Sequence, residues 1–174
     1  MKDLFQPLTF NCGTILKNRF MLAPLTNTQS HTDGKLSDDE YRWLIMRAQG
    51  GFGLTMTCAA HVQAIGQGFP GQLGLFSDDH LEGLSKLASG IKSENSLAVV
   101  QLHHAGMRSP VDLIGQAPVC PSDHTDTNAV GLSSEGVKEL IEDFVGGAER
   151  AEKAGVDGVE IHGAHGYILA QFLS

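Results

Sequence analysis

Four times along its length this chain sets a short apolar run ahead of a helix-patterned segment, and that order constrains its fold more than any other feature. The runs are Phe20-Met21-Leu22-Ala23-Pro24, Gly53-Leu54-Thr55-Met56-Thr57-Cys58, Leu97-Ala98-Val99-Val100-Gln101-Leu102 and Gly155-Val156-Asp157-Gly158-Val159-Glu160-Ile161. Each is too short for a helix, and their β-branched content and bounding Gly or Pro favour strands. Ser37-Asp38-Asp39-Glu40 and Ser77-Asp78-Asp79-His80 carry a capping hydroxyl followed by acids, the signature of a helix start. Behind the first, Tyr41, Leu44, Ile45 and Ala48 recur at helical spacing until Gly50-Gly51; behind the second come Leu81, Leu84, Leu87 and Ile91. A third helix is expected from Ser134-Glu135 to Ala154, with Val137, Leu140, Ile141, Phe144 and Ala148 as its apolar face, and Tyr167 to Leu173 opens a fourth. Ahead of these units, Phe5 to Phe10 followed by Asn11-Cys12-Gly13 reads as a hairpin arm, and residues 105–131 form a long polar stretch containing prolines.

Strands alternating with helices imply parallel pairing and right-handed crossovers. An open doubly wound sheet expects a Gly-rich phosphate loop after its first strand. Here that strand ends in Ala23-Pro24-Leu25-Thr26. The expectation is therefore an α/β chain of the (β/α)8 TIM barrel type. A full barrel takes about 250 residues, so these 174 residues correspond to about the first four β/α units, an incomplete barrel. The chain is expected to be a fragment or a half barrel that pairs with another half.

Composition narrows the partners. Twenty acidic against 12 basic residues give a formal net charge of −8, which argues against nucleic acid or an anionic membrane as the partner. No apolar run approaches the roughly 20 residues of a membrane span, and the segment Met1 to Pro7 lacks the apolar core of a signal peptide. Cys12, Cys58 and Cys120 are odd in number and widely spaced, so a disulfide framework is not expected and a reducing cytoplasm is the simplest setting.

The chemistry gathers where the strands end. Pro24-Leu25-Thr26, Cys58-Ala59-Ala60-His61, Gln101-Leu102-His103-His104 and His162-Gly163-Ala164-His165-Gly166-Tyr167 each follow a strand, and they hold five of the eight histidines. In a parallel barrel these places converge on the C-terminal rim, where active sites lie. His162 and His165 suit a metal site, an oxyanion clamp or plain surface. The zincin pattern H-E-x-x-H is absent, as is an H-x-H at the first strand end. Two imidazole N–H donors aimed at one carbonyl oxygen would stabilise an enolate. Tyr167 lies close enough in sequence to serve the same substrate, and a phenol suits protonation of a carbanion-like carbon. Gln101 offers both a donor and an acceptor, matching the mixed edge of a flavin pyrimidine, and Thr26 offers a hydroxyl. His103 and His104 are adjacent, so on an extended chain only one faces the site.

These residues resemble a known family. The run from His162 through Tyr167 to Gln171-Phe172-Leu173-Ser174 is similar to the active-site motif of the old yellow enzyme family of FMN-dependent oxidoreductases. Lys17-Asn18-Arg19-Phe20 with Ala23 to Thr26 resembles its first barrel strand, and Val100 to Gly106 its third. The resemblance implies that residues 1–174 are the N-terminal half of a single FMN-binding TIM-barrel domain. It implies non-covalent FMN, reduced by NADH or NADPH, and hydride transfer from the flavin to the β-carbon of an electron-poor alkene, an α,β-unsaturated carbonyl compound. His162 and His165 would hold the carbonyl oxygen and Tyr167 would deliver the proton. Ala23, Pro24, Leu25, Thr26, Ala59, Gln101 and His162 match positions that contact the cofactor. Many members carry an acid where this chain has Cys58. The family's later strands supply a flavin-contacting Arg and most of the phosphate site, so weak flavin affinity is expected of these residues alone.

Two other functions suit the same sequence: a metal-dependent barrel hydrolase using His103, His104, His162 and His165, and a catalytically silent truncated half-barrel. Oligomer formation is compatible with each.

Overall fold

The computed structural model describes residues 3–174. Its centre is a four-stranded parallel sheet in the order β3 (Met21–Leu22), β4 (Leu54–His61), β5 (Leu97–His103), β8 (Gly158–Ile161). Helices α1 (Asp38–Gln49), α2 (Leu81–Ser93) and α4 (Ser134–Lys153) form the crossovers, and α5 (Ile168–Phe172) follows the last strand. Strand order follows chain order, as in a closing barrel. The hairpin arm is present as β1 (Leu8–Thr9) paired antiparallel with β2 (Ile15–Leu16).

The caps foreseen in the sequence are made. Ser37 accepts the Glu40 N–H at 3.1 Å, and Gly50 and Gly51 close α1, with Gly51 at φ 104°. Several boundaries move, among them the start of β8, which lies at Gly158 rather than Gly155. The second strand runs to His61, so Ala59, Ala60 and His61 lie within β4, beyond a register shift between Met56 and Ala59. Ser77 caps a single 3-10 turn, Asp78–His80, before α2 begins at Leu81. Ser133, one residue earlier than expected, caps α4. The polar stretch is also more ordered than its composition suggested. It holds α3 (Val111–Ile114) and the short pair β6 (Val119–Cys120) and β7 (Val130–Gly131).

The core lies between the sheet and the three long helices. Cys58, Ala60, Ala98, Val100 and Leu102 meet Leu44, Leu84, Leu87, Ile91 and Ala151 there. Alternation along a strand then puts Ala59, Gln101 and His103 on the opposite face, toward the barrel axis. No strand pairs with the outer edge of β8 among the described residues. An apolar groove runs between α4 and β8, lined by Val137, Ile141, Phe144, Ile161, Leu169 and Phe172.

Candidate active site at the strand ends

The turn after β8 is fastened on three sides. His162 N–H extends the ladder by donating to Leu102 O at 3.0 Å, and Ile168 N–H donates to His104 O at 3.1 Å. His165 and Gly166 take successive left-handed conformations, φ 59° and 68°, the first of them costly for a residue with a Cβ. Arg108 Nη1 donates to His165 O at 2.5 Å and so holds that conformation from the 3-10 turn Gly106–Arg108. Gln171, buried on α5, donates to Gly166 O at 2.7 Å and Ala105 O at 3.3 Å and accepts the Met107 N–H at 3.1 Å. One amide thus joins the end of β5 to the turn. Gly106 makes room for it: at φ 62°, a Cβ there would collide with Gln171 Oε1. Gly106→Ala is expected to cost about 2–3 kcal/mol, from positive φ and lost hydrogen bonds together, and urea denaturation of the variant checks it.

This fastening brings four rings together. The His162 and His165 centroids are 5.1 Å apart, Tyr167 is 5.1 Å from His162, and His103 is 4.4 Å from Tyr167 and 5.5 Å from His162. The Arg108 guanidinium lies 5.1 Å from the Tyr167 ring centre. Ala164 N–H points at His162 Nδ1 at 3.4 Å, which leaves the His162 proton on Nε2, facing His165 Nδ1 at 3.4 Å. The two imidazoles therefore bond loosely to each other, and one must turn for both to reach a single oxygen. Burial, and then His165, push the His162 pKa below its usual value, so its neutral N–H form is favoured.

The adjacent pair separates, as extended backbone requires. His103 lies against Tyr167 and His162, whereas His104 turns to Gln63. Gln63 gives its amide nitrogen to Asp143 at 2.5 Å, so its oxygen accepts from His104 Nε2 at 2.9 Å; His104 Nδ1 accepts the Gly106 N–H at 3.0 Å. His104 is thus a structural histidine with both nitrogens engaged. Among the described residues no group of three metal-ligating side chains converges, and the four-histidine set of a hydrolase is not assembled here.

The residues matched to a cofactor lie on or just after β3, β4 and β5 of the same sheet. Ala23, Leu25 and Thr26 are exposed, Pro24 and Ala59 half-buried, and Gln101 buried on the inward face. Gln101 Nε2 donates to Glu160 Oε1 at 2.6 Å, across their register pairing. The set is two alanines, a proline, a leucine, a hydroxyl, an amide and the His162 imidazole, whose neutral form burial favours. It fits a flat, neutral, hydrogen-bonding ring such as the isoalloxazine of FMN better than it fits a metal ion.

The sequence reading missed four supports: Gln72, Arg108, Glu160 and Glu40. Glu40 is fully buried, an unusual place for a carboxylate. It accepts from Asn27 Nδ2 at 2.9 Å, from Ser30 Oγ and from Cys58 Sγ at 3.3 Å. The loop carrying Thr26 and the strand carrying Ala59 are thereby tied from behind. Burial, reinforced by Glu40, raises the Cys58 thiol well above its usual range, so it remains a protonated donor. An acid does reach the Cys58 position, but from α1. The only sequence signal for it was Glu40 at the third position of the Ser37 cap.

The chain thus folds as a parallel half-barrel with imidazoles and a phenol gathered at the ends of its strands. The chain belongs to the NADH:flavin oxidoreductase / NADH oxidase family, whose sequence profile matches residues 3–174. It is similar to a protein of Bacillus subtilis named probable NADH-dependent flavin oxidoreductase, at 41% identity over 99% of this chain and 47% of that protein. It is also similar to an NADPH dehydrogenase of Bacillus licheniformis, at 39% identity over 99% of this chain and 51% of the relative. The chain therefore spans about half the length of these curated relatives. Among solved structures it resembles the old yellow enzyme homologue from Zymomonas mobilis, with TM-score 0.86 and 30% identity over 95% of this chain and 49% of that one. Morphinone reductase superposes with TM-score 0.88 at 26% identity, covering 98% of this chain and 50% of that one. These likenesses bear out the old yellow enzyme resemblance and the half-barrel.

Among the described residues no helix is long and apolar enough to cross a membrane.

Proposed function

We propose that the protein built on this chain is an FMN-dependent oxidoreductase that reduces the activated C=C bond of α,β-unsaturated carbonyl compounds with NADH or NADPH. The observation that carries the reading is the gathering of His162, His165 and Tyr167 at the end of β8, in the same parallel sheet whose other strands carry Ala23, Pro24, Leu25, Thr26, Ala59 and Gln101. These strand-end residues, with His162, would hold the flavin ring, Thr26 offering a hydroxyl and Gln101 its free amide oxygen. FMN, when bound, supplies the hydride that reaches the alkene β-carbon. His162 and His165 donate hydrogen bonds to the carbonyl oxygen as negative charge grows there. Tyr167 passes its hydroxyl proton to the α-carbon, and water restores it afterwards.

In this reading residues 1–174 are the N-terminal half of one FMN-binding barrel domain. The free edges of β3 and β8 and the groove beside α4 are surfaces a second half-barrel would cover, whether from the same chain, another chain or a further copy. The three free cysteines suit a reducing, cytoplasmic setting.

An anaerobic visible spectrum with FMN tests the reading. A flavin band that bleaches on NADPH or NADH and returns on adding cyclohexenone is expected once the barrel is complete. A complete protein that stays colourless with FMN but carries stoichiometric zinc would overturn it. The isolated 174 residues are expected to hold FMN weakly, because phosphate sites in such barrels follow strands seven and eight; equilibrium dialysis measures this.

A further inference from the structure

His103 has no part in the mechanism above, yet its imidazole is fully buried among the residues that do. Its neighbours fix its tautomer. Gln72 Oε1 accepts the Gly68 N–H at 2.7 Å, so the Gln72 amide nitrogen donates to Ala59 O at 2.9 Å and to His103 Nδ1 at 3.0 Å. With Nδ1 accepting, the proton of the neutral ring sits on Nε2. That nitrogen is buried and has no hydrogen-bond partner among the described residues. Burial first, and then His162, His104 and His61, push the His103 pKa down to about 3, so the ring stays neutral and cannot itself act as the acid. It stands edge to face with Tyr167, at 80° and 4.4 Å between centroids. A buried donor left unpaired is destabilising, and a native fold keeps few of them.

We propose that His103 is a positioning residue for Tyr167, holding its Nε2–H in place to donate to the Tyr167 oxygen when that oxygen gives up its proton. The inference rests on the ene-reductase reading. The Tyr167 O–H bond breaks, a C–H bond forms at the α-carbon, and the negative charge remains on the Tyr167 oxygen until water reprotonates it. His103 keeps its own proton throughout. A donor held close to where charge develops stabilises that charge after a short approach, at less reorganisation than water would need. The other groups facing Tyr167 are His162 from the end of β8 and Arg108 from the turn after β5. Arg108 is exposed and already donates to His165 O, and the His162 N–H is committed to the substrate oxygen, so His103 alone is free for this task.

Two measurements test it. In the 15N-histidine-labelled chain without flavin, nitrogen–proton NMR should show His103 as the Nε2–H tautomer. Its Nε2 proton should move downfield when the pH is raised until tyrosine ionises, and should stay in place in Tyr167→Phe. An Nδ1–H tautomer, or no response in the parent chain, overturns the inference. In the flavin-loaded enzyme, His103→Phe should lower kcat for a cyclic enone by about tenfold with KM nearly unchanged. His103→Gln, which restores an N–H donor, should recover most of that loss. A His103→Phe enzyme with parental kcat, or a Gln variant as impaired as Phe, also overturns it. If Tyr167→Phe is itself without effect, the ene-reductase reading fails; if it is crippling while His103→Phe is silent, only the role of His103 fails.

Discussion

Replacing Tyr167 by Phe is expected to slow enone reduction by about 10²–10⁴-fold while reduction of the bound flavin by NADPH stays near the parental rate. The argument is one of position. Tyr167 caps α5 with an extended backbone, ψ −178°, and its ring packs against both His103 and His162 at the strand ends. The ring itself packs against three neighbours and survives in Phe, so the substitution removes the proton and little else. The reductive half asks nothing of the phenol, because the nicotinamide gives hydride without needing a proton at that site. Stopped-flow measurement of the two halves separately is the check. Equal loss in both would point to a damaged pocket, and equal retention would remove Tyr167 from the chemistry.

Acid should unfold the chain earlier than its carboxylates alone would dictate. Burial holds His61 and His104 at a pKa of about 4 and His103 at about 3. An unfolded histidine takes up its proton near pH 6.5. Since these folded-state values are depressed, the unfolded chain binds more protons in that window. The stability they confer is complete above pH 6.5 and is lost as the pH falls toward 4 and then 3. Each group contributes a slope of up to 1.36 kcal/mol per pH unit, so the three together approach about 4 kcal/mol per unit near pH 5. Domains of this size have only about 5–15 kcal/mol of stability, so unfolding is expected between about pH 4 and 5. Urea midpoints measured from pH 7 to 4 give the slope directly. His104→Gln, which keeps a donor for Gln63, should lower it by about a third; a slope near zero in the parent would mean that these histidines are solvated.

Much of the frame could be read from the chain because local signals agreed with the final packing. Ser37 with its acids, Gly50-Gly51 and the spacing of Leu84, Leu87 and Ile91 each act within one or two turns, and each was placed correctly. The site was legible where a motif kept its members close together, as in His162 to Tyr167. It was illegible where contacts join distant elements. Gln72 reaches His103 across 31 positions, and Gln171 reaches Ala105 across 66. No periodicity records such pairs. Glu40 shows a second limit. At the third helical position an acid is ordinary, and only the loop that closes over it makes it a buried anchor. The β4 boundary was misplaced for a third reason: the register shift near Met56 breaks the alternation that marks strand length.

The fastening of the His165–Gly166 turn also bears on how such proteins diversify. Arg108, Gln171 and the ladder bond to Leu102 all lie within these residues, so the shape of the turn does not depend on whatever closes the barrel. Loops beyond β8 are then free to change length, shape and charge under selection for new substrates. Variation can accumulate in one half of such a barrel while the turn that carries His162, His165 and Tyr167 is inherited unchanged in the other.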